Sequence, residues 1–257
     1  MNESCFTREN TQKKYFVLAC EVLHREICYC AAKSPNIIDI EFVSQGYHDL
    51  ESNEMSKRLQ QRINAVLHDK YDAVLLGFAL CNNGISGIKA EKIPLVIPRA
   101  HDCITLLLGS KKKYDAVFAE SPGSYFLSSG WIERDSDNLE KMDNTVMSKL
   151  GLDLSYQQYC EKYGAENAEF IMQALEGGLK YYEKIIFINN NLGNICEYRK
   201  LATEEAQKRN LKFQVVEGSF GLLQNLLDGN WNENEFLILQ PGSVVVPSAD
   251  ENIIKSA

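Results

Sequence analysis

The sequence predicts an α/β protein made of two Rossmann-like lobes with mainly parallel sheets. Short apolar runs alternate with stretches whose apolar residues recur at helical spacing, a pattern typical of parallel strands covered by helices. The run 72–80 is almost continuously apolar, as expected for a strand buried on both faces. The alternation returns in the last third of the chain. We therefore expect an N-terminal α/β lobe at 1–132, a helical crossover at 133–180 and a C-terminal Rossmann-like lobe at 181–257.

Each predicted element follows from local periodicity. In the N-terminal lobe, apolar runs predict strands at 15–19, 37–43, 72–80 and 95–97, and amphipathic spacing predicts helices at 21–32 and 55–68. In the C-terminal lobe we expect strands at 184–188, 213–216 and 236–239, with helices at 196–209 and 220–227. The basic run 111–113 is expected to be a solvated turn. The segment 121–131 has two glycines, one proline and three aromatic residues, and is expected to form a loop that could act as a lid.

The composition and the apolar pattern argue against several classes of function. A net charge of −8 over 257 residues argues against a nucleic-acid-binding surface, which needs clustered lysine and arginine. No apolar run approaches the roughly 20 residues that a membrane-spanning helix requires. The N-terminal residues lack the apolar region of a signal peptide, so we expect a cytoplasmic protein. In that reducing compartment the eight cysteines are expected to be buried thiols or metal ligands rather than disulfides.

The segment 98–103 has the highest concentration of reactive side chains: a cation, an imidazole, a carboxylate and a thiol follow a predicted strand. Cys20 and Cys81 also follow apolar runs directly, and ligands of parallel sheets bind beyond the carboxyl ends of the strands. Thiolates bind zinc or iron–sulfur clusters, with histidine as a permitted substitute. We therefore predict a metal-thiolate centre of Cys20, Cys81, Cys103 and His101. The spacing matches no zinc-finger or ferredoxin pattern, so three simply buried cysteines remain the alternative.

Further residues have candidate roles around this centre. His101 is a fourth metal ligand or a general base, and it would share a side with Cys103 if the segment were extended. Arg99 has a fork suited to an anionic substrate group, or pairs with a carboxylate inside the fold. Asp102 would point away from the metal and orient Arg99. His24 lies one helical turn after Cys20 and is a candidate ligand or supporting residue.

Four residues are expected to bind a substrate or cofactor. Gly84 follows the second cysteine in a tight loop, and Gly123 would allow close backbone approach. Tyr125 and Trp131 would supply an apolar wall with polar tips. The sequence has no nucleotide-binding glycine motif and none of the common hydrolase motifs. Cys28 and Cys30 differ by about 200° around their helix, so we expect both to serve packing.

At these residues the chain resembles a family of unknown function, DUF1638. The resemblance covers most of the chain and rests on the pairs and motifs 19–20, Gly77 with Cys81 and Gly84, 96–104, 107–110, 122–126 and 130–131. The chain departs from the family's pattern at Asn82, where a glycine is frequent, and at Gly77-Phe78. The family is associated with anaerobes and with corrinoid-dependent methyltransferase systems. Zinc methyltransferases of those systems have a His-x-Cys motif and a distant cysteine, which His101-Asp102-Cys103 resembles.

The sequence thus supports several functional hypotheses. The first is a zinc-dependent enzyme of anaerobic one-carbon metabolism that transfers a methyl group to a thiol or amine acceptor. A [4Fe–4S] cluster enzyme on the same three cysteines is the close alternative. A non-catalytic accessory protein that holds a metal or a corrinoid is another, and a plain α/β binding module is the last. The expected partners are a small-molecule substrate and a corrinoid protein, and a homodimer is compatible with this class of protein.

Overall fold

The structure is a computed structural model that describes residues 12–81, 83–121, 123–134 and 182–257, with positions 160, 161, 164, 165, 167 and 169. It is a mixed α/β protein with mainly parallel sheets, as the sequence predicts. Most of the predicted crossover at 133–180 lies outside the described residues. Among the described residues, no helix has the length and apolar character needed to cross a membrane.

The larger sheet has the strand order β2-β1-β3-β4-β8. Strands β1 to β4 are parallel, and β8 runs antiparallel to β4 at the edge. The parallel register places the carboxyl ends of β1, β2 and β3 side by side. The bounds are β1 Lys14–Cys20, β2 Ile37–Val43, β3 Ala73–Gly77, β4 Leu95–Pro98 and β8 Phe236–Leu239.

A second parallel sheet has the order β5-β6-β7, and a short antiparallel pair, β9 and β10, follows near the C-terminus. The bounds are β5 Ser124–Ser128, β6 Lys184–Asn189, β7 Lys212–Glu217, β9 Val245–Pro247 and β10 Ile254–Ser256. Within the continuous described ranges the α-helices are α1 His24–Lys33, α2 Ser52–Ala65, α3 Cys103–Leu108, α4 Lys111–Glu120, α5 Ser129–Arg134, α6 Ile195–Lys208 and α7 Gly221–Asp228.

The two sheets exchange strands across the predicted lobes. Strand β5 lies within residues 1–132 but pairs with β6, and β8 lies after residue 181 but pairs with β4. Each of the two strands gains a partner at an open sheet edge, where unpaired backbone groups would otherwise remain. The fold is therefore more interwoven than two consecutive lobes, and the boundaries at 132 and 180 stay predictions.

Two local predictions were wrong. In the segment 121–131, expected to be a lid loop, the described residues 124–131 form β5 and the start of α5, and β5 hydrogen-bonds to β6. The basic run 111–113 opens α4, and the Ser110 hydroxyl accepts the Lys113 backbone N–H at 3.2 Å. The Lys111 ammonium donates to the backbone carbonyls of Asn234 and Glu251 rather than projecting freely into water.

The main core fills the space around the larger sheet. Its central strands bury their side chains on both faces, and the apolar sides of α1, α2, α3 and α7 cover them. Close packing extends to the backbone at Gly77, where a Cβ would lie 2.5 Å from that of Ala19 on the neighbouring strand. The carboxyl edge of this sheet is therefore a rigid platform for the loops that follow β1, β2, β3 and β4.

Candidate functional site

Three cysteines meet at the carboxyl edge of the larger sheet. Cys20 is the last residue of β1, and Cys103 is the first residue of α3. The loop after β3 pairs with the loop after β4, because the Leu80 N–H donates to the Ala100 carbonyl and the Cys81 N–H to the His101 carbonyl. This pairing brings Cys81 alongside Cys103. All three residues are buried, with 2%, 7% and 6% of their surface exposed in chain order.

The three thiols are close enough to act on one another electrostatically. Burial raises the pKa of Cys20, and the Cys103 thiol raises it further. Burial also raises the pKa of Cys81 to about 12, with a contribution from Cys20, and raises that of Cys103, with a contribution from Cys81. The neighbouring ionisable side chains that act on these thiols include the carboxylates of Glu21 and Asp102, which oppose ionisation. Forming three thiolates here therefore calls for a compensating cation.

Hydrogen-bond donors nevertheless point at the sulfur atoms. The Val22 backbone N–H donates to Cys20, and those of Ala79 and Cys103 donate to Cys81. The Trp131 indole N–H donates to the Cys103 thiol. Each of these bonds lowers the pKa of its thiol against the larger effect of burial. Donors of this kind stabilise sulfur in its thiolate form, which is the form that binds metals.

His48 is the site residue that the sequence reasoning missed. Its Nε2 lies 3.5 Å from the Cys20 sulfur, and its ring centroid lies 5.7 Å from that of Trp131. Burial lowers the pKa of His48, so the imidazole is neutral at neutral pH and can offer a nitrogen lone pair. His48 follows β2, the strand beside β1, and that position at the same sheet edge is the signal that could have identified it.

The described side chains do not form a ready metal site. Among the described residues, no group of three or more His, Cys, Asp or Glu side chains is arranged so that it could already hold a metal ion. The chemistry of the donors fits a soft or borderline ion, because three thiols and one neutral imidazole converge. Holding an ion here would therefore require a rearrangement that draws the sulfur atoms together.

His101 was expected to be a fourth ligand or a general base, and its side chain differs in burial from the three thiols. It is exposed, and its ring centroid is 6.5 Å from that of Tyr114. The expectation assumed an extended segment from His101 to Cys103, but α3 begins at Cys103 and breaks that alternation. The backbone carbonyl of His101, rather than its ring, supports the site by accepting the Cys81 N–H at 2.9 Å.

Asp102 and Arg99 have structural roles in this geometry. Asp102 Oδ1 accepts the N–H groups of Ile104 and Thr105 and so caps α3. The Arg99 Nε donates to the Glu233 carbonyl at 2.8 Å, and its Nη1 donates to the carbonyls of Asn252 and Ile254. These bonds tie β4 to the C-terminal segment. The substrate-anchoring role expected for Arg99 and the orienting role expected for Asp102 stay predictions beside these structural bonds.

The other candidates lie around the site rather than in it. His24 packs on Phe42 with ring centroids 4.7 Å apart, and its Nε2 is 4.0 Å from the Cys28 sulfur. Gly84 is required by packing, since a Cβ there would lie 2.1 Å from the Met55 sulfur. The Gly123 carbonyl accepts the Glu183 N–H at the start of the second sheet. Cys30 is buried in α1, and Cys28 is half-buried.

A cavity of about 380 Å³ lies beside Trp131, and its lining contains none of the three cysteines. Its walls include Tyr125, Leu127 and Trp131 from β5 and α5, and Leu201 and Arg209 from the region of α6. Trp131 therefore faces both the cavity and the Cys103 sulfur. Tyr125 and Trp131 both line this cavity, and their backbone is a strand and a helix rather than a loop. The apolar wall that we expected them to form for a ligand stays a prediction.

The fold and the site together define a class: an α/β protein with a buried three-thiol cluster at the carboxyl edge of a parallel sheet. The sequence profile described as "Protein of unknown function (DUF1638)" matches residues 42–227, more than half of the chain. The chain therefore belongs to the DUF1638 family. No curated protein and no solved structure matches it significantly. Cys81, Cys103, His48 and Trp131 lie within the matched range, and Cys20 precedes it.

Proposed function

We propose that this protein is a metal-thiolate enzyme that binds zinc through Cys20, Cys81 and Cys103. The observation that carries this proposal is the convergence of three buried thiols from three separate points of one sheet edge. Three cysteine ligands would leave the fourth position of a tetrahedral zinc ion open, as in catalytic zinc sites, with the neutral imidazole of His48 beside Cys20. The ligand distances in such sites are about 2.3 Å to sulfur and about 2.0 Å to nitrogen.

The reaction we propose is methyl transfer to a thiol or amine acceptor in one-carbon metabolism. An acceptor bound at the open position of the zinc would become nucleophilic at neutral pH, because the metal lowers its pKa. The chain contributes the rest: the core excludes water from the sulfur atoms, and Trp131 fixes Cys103 through its indole N–H. The cavity beside Trp131 offers room for the acceptor. The link to corrinoid systems rests on the family resemblance alone.

Two alternatives use the same residues. A [4Fe–4S] cluster bound by the three cysteines would keep one iron open to substrate, and the number of convergent thiols supports it. A non-catalytic protein that stores or delivers a metal or corrinoid would need the thiols but no substrate cavity beside them. The cavity of about 380 Å³ at Trp131 therefore favours an enzyme.

Elemental analysis and an absorption spectrum of anaerobically purified protein test the metal. We expect about one zinc per chain, no colour, and loss of the zinc in Cys103→Ala. Cys30→Ala is the matched control, because Cys30 is equally buried but lies in α1. Iron with sulfide and a brown chromophore would show that the cysteines bind an iron–sulfur cluster instead of zinc. Folded protein with neither metal would overturn the proposal.

A transfer assay tests the reaction. Zinc-loaded protein mixed with methylcobalamin and a small thiol should demethylate the corrinoid, which is followed by its absorption spectrum. The thiol releases its proton and forms a bond to the methyl group, while the cobalt–carbon bond breaks and the corrinoid leaves as cob(I)alamin with that electron pair. Cys103→Ala should abolish the change, whereas Cys30→Ala should retain it. If zinc-loaded wild-type protein transfers no methyl group to thiols or amines, the proposed reaction is wrong, and the zinc site serves another activity.

A further inference from the structure

A second cavity lies beside the exposed side chain of His101, in the segment 98–103. It has a volume of about 390 Å³ and is bounded by α3, α4 and the turn between β9 and β10. This volume is in the range of small-molecule sites. The cavity contains none of the three cysteines, so what it binds is independent of the metal proposed above.

The walls of this cavity carry an excess of negative charge. Asp115, Asp250 and Glu251 line it, against a single ammonium group, that of Lys111. The Lys111 Nζ already donates to two backbone carbonyls, at 2.7 and 3.2 Å. Among the described residues, the carboxylates of Asp115 and Glu251 form no ion pair. Arg99 and Lys255 act on Asp250 from outside the lining, which leaves the charge of Lys111 against the two carboxylates of Asp115 and Glu251.

Neutral acceptors stand beside these carboxylates. Thr105 lines the cavity and is 1% exposed, and its hydroxyl oxygen has no hydrogen-bond partner. An unpartnered hydroxyl at such depth costs free energy unless a ligand pairs with it. The Tyr114 hydroxyl donates to Asp102 Oδ2 at 3.2 Å, so its oxygen keeps lone pairs for an incoming donor.

We propose that this cavity binds a small aliphatic ligand bearing primary ammonium groups. Its charge would be balanced by Asp115 and Glu251, and its N–H groups would donate to Thr105 and Tyr114. The rings of His101 and Tyr114 and the side chain of Ile253 offer apolar surface for the methylene chain. An anionic ligand would face the carboxylates without a free cation to bind it.

Calorimetric titration of the full chain with three matched probes tests the chemistry. Hexamethylenediamine has the ammonium charge and the N–H donors, hexamethonium has the charge without the donors, and hexanediol has neither charge nor ammonium donors. We expect the diamine to bind most tightly, at least tenfold more tightly than hexamethonium. Equal binding of the diamine and hexamethonium, or no binding of the diamine, would overturn the proposal.

Variants then locate the site. Thr105→Val keeps the shape of the side chain, and we expect it to weaken diamine binding about tenfold, as loss of one hydrogen bond to a charged group would. Asp115→Asn and Glu251→Gln should each weaken binding and reduce its salt dependence. Glu91→Gln is the control, because Glu91 is exposed outside the cavity. Diamine affinity that is unchanged in all three cavity variants would show binding elsewhere and contradict the assignment.

Discussion

Cys81 adopts a backbone conformation that residues with a Cβ seldom take. Its φ is +44°, in the left-handed region that favours glycine. A non-glycine residue there costs about 1 kcal/mol or more. The fold nevertheless places a cysteine at this position, with its N–H fixed by the His101 carbonyl. A strained residue that contributes a thiol to a buried cluster is consistent with a functional role for that thiol.

Two substitutions separate the strain at Cys81 from its chemistry. We expect metal-free Cys81→Gly to unfold with a free energy about 1 kcal/mol higher than metal-free Cys81→Ala, because glycine relieves the strain. Chemical denaturation of both variants measures the difference. Both should fail to retain zinc. Equal stability of the two variants would mean that the backbone at Cys81 is unstrained in solution.

Glu26 is a buried carboxyl whose environment favours its neutral form. It is 1% exposed, its Oε1 accepts the Asn190 Nδ2 at 3.2 Å, and its Oε2 has no partner. Burial raises the pKa of Glu26 above its usual value. A group with a raised pKa in the folded state stabilises the fold below its unfolded pKa, and this contribution is lost as pH rises through the folded pKa.

Glu26→Gln should therefore gain stability relative to wild type as pH rises above about 4.3, the unfolded pKa of glutamate. The glutamine amide can also donate to the unpartnered Asn190 Oδ1. Denaturation of both proteins across the pH range in which each stays folded gives the difference. Glu91→Gln, at an exposed position, should show no such trend. A difference between Glu26→Gln and wild type that is independent of pH would contradict a raised pKa at Glu26.

At the scale of elements, α5 holds Trp131 against the thiols by direct backbone contact. A Cβ at Gly130 would lie 1.8 Å from the Val22 carbonyl oxygen, so only glycine allows α5 to approach the turn that follows β1. That turn starts immediately after Cys20. The same contact thus positions Trp131 beside Cys103 and supports Cys20, the last residue of β1.

Gly130→Ala should push α5 away and lower the free energy of unfolding by about 2 kcal/mol, as overpacking of a core does. It should also change the fluorescence of Trp131, because the indole loses its contact with the Cys103 sulfur. Gly221→Ala is the matched control, since a Cβ there meets only ordinary contacts at 3.6 Å in the first turn of α7. Equal stabilities of the two variants would contradict this close approach.

At the scale of the whole molecule, Arg99 connects the larger sheet to the end of the chain. Its guanidinium donates to carbonyls before β8, after β9 and in β10. Strand β8 completes the sheet antiparallel to β4, so these bonds fasten the last strands to the body of the fold. Hydrogen bonds from charged donors contribute more than those from neutral ones.

Arg99→Met keeps the stem and removes the donors. We expect it to lower the free energy of unfolding by about 2 kcal/mol and to speed hydrogen exchange at residues 248–257. Metal content should stay unchanged. Arg62→Met serves as control, because Arg62 is 54% exposed and its ion pair with Glu41 contributes little. Unchanged exchange at the C-terminus would contradict this fastening role of Arg99.

The sequence was sufficient for features that depend on neighbouring residues. Apolar runs located β1 to β4 and β6 to β8, and the position of Cys20, Cys81 and Cys103 after strands predicted that they would meet. Pairings between distant segments could not be read in this way, so β5 was expected to be part of a loop, and β8 was expected in the C-terminal lobe although it pairs with β4. His48 was missed for the same reason, because its proximity to Cys20 depends on the pairing of β1 with β2.

A cobalt titration of the reduced, metal-free protein tests the central claim most directly, since cobalt bound by thiolates gives an intense sulfur-to-metal absorption band. We predict one ion per chain and a band that is lost or strongly reduced in Cys20→Ser, Cys81→Ser and Cys103→Ser, but retained in Cys196→Ser, whose thiol is exposed. A band that survives all three substitutions, or no band in folded wild-type protein, would contradict a metal centre on these cysteines.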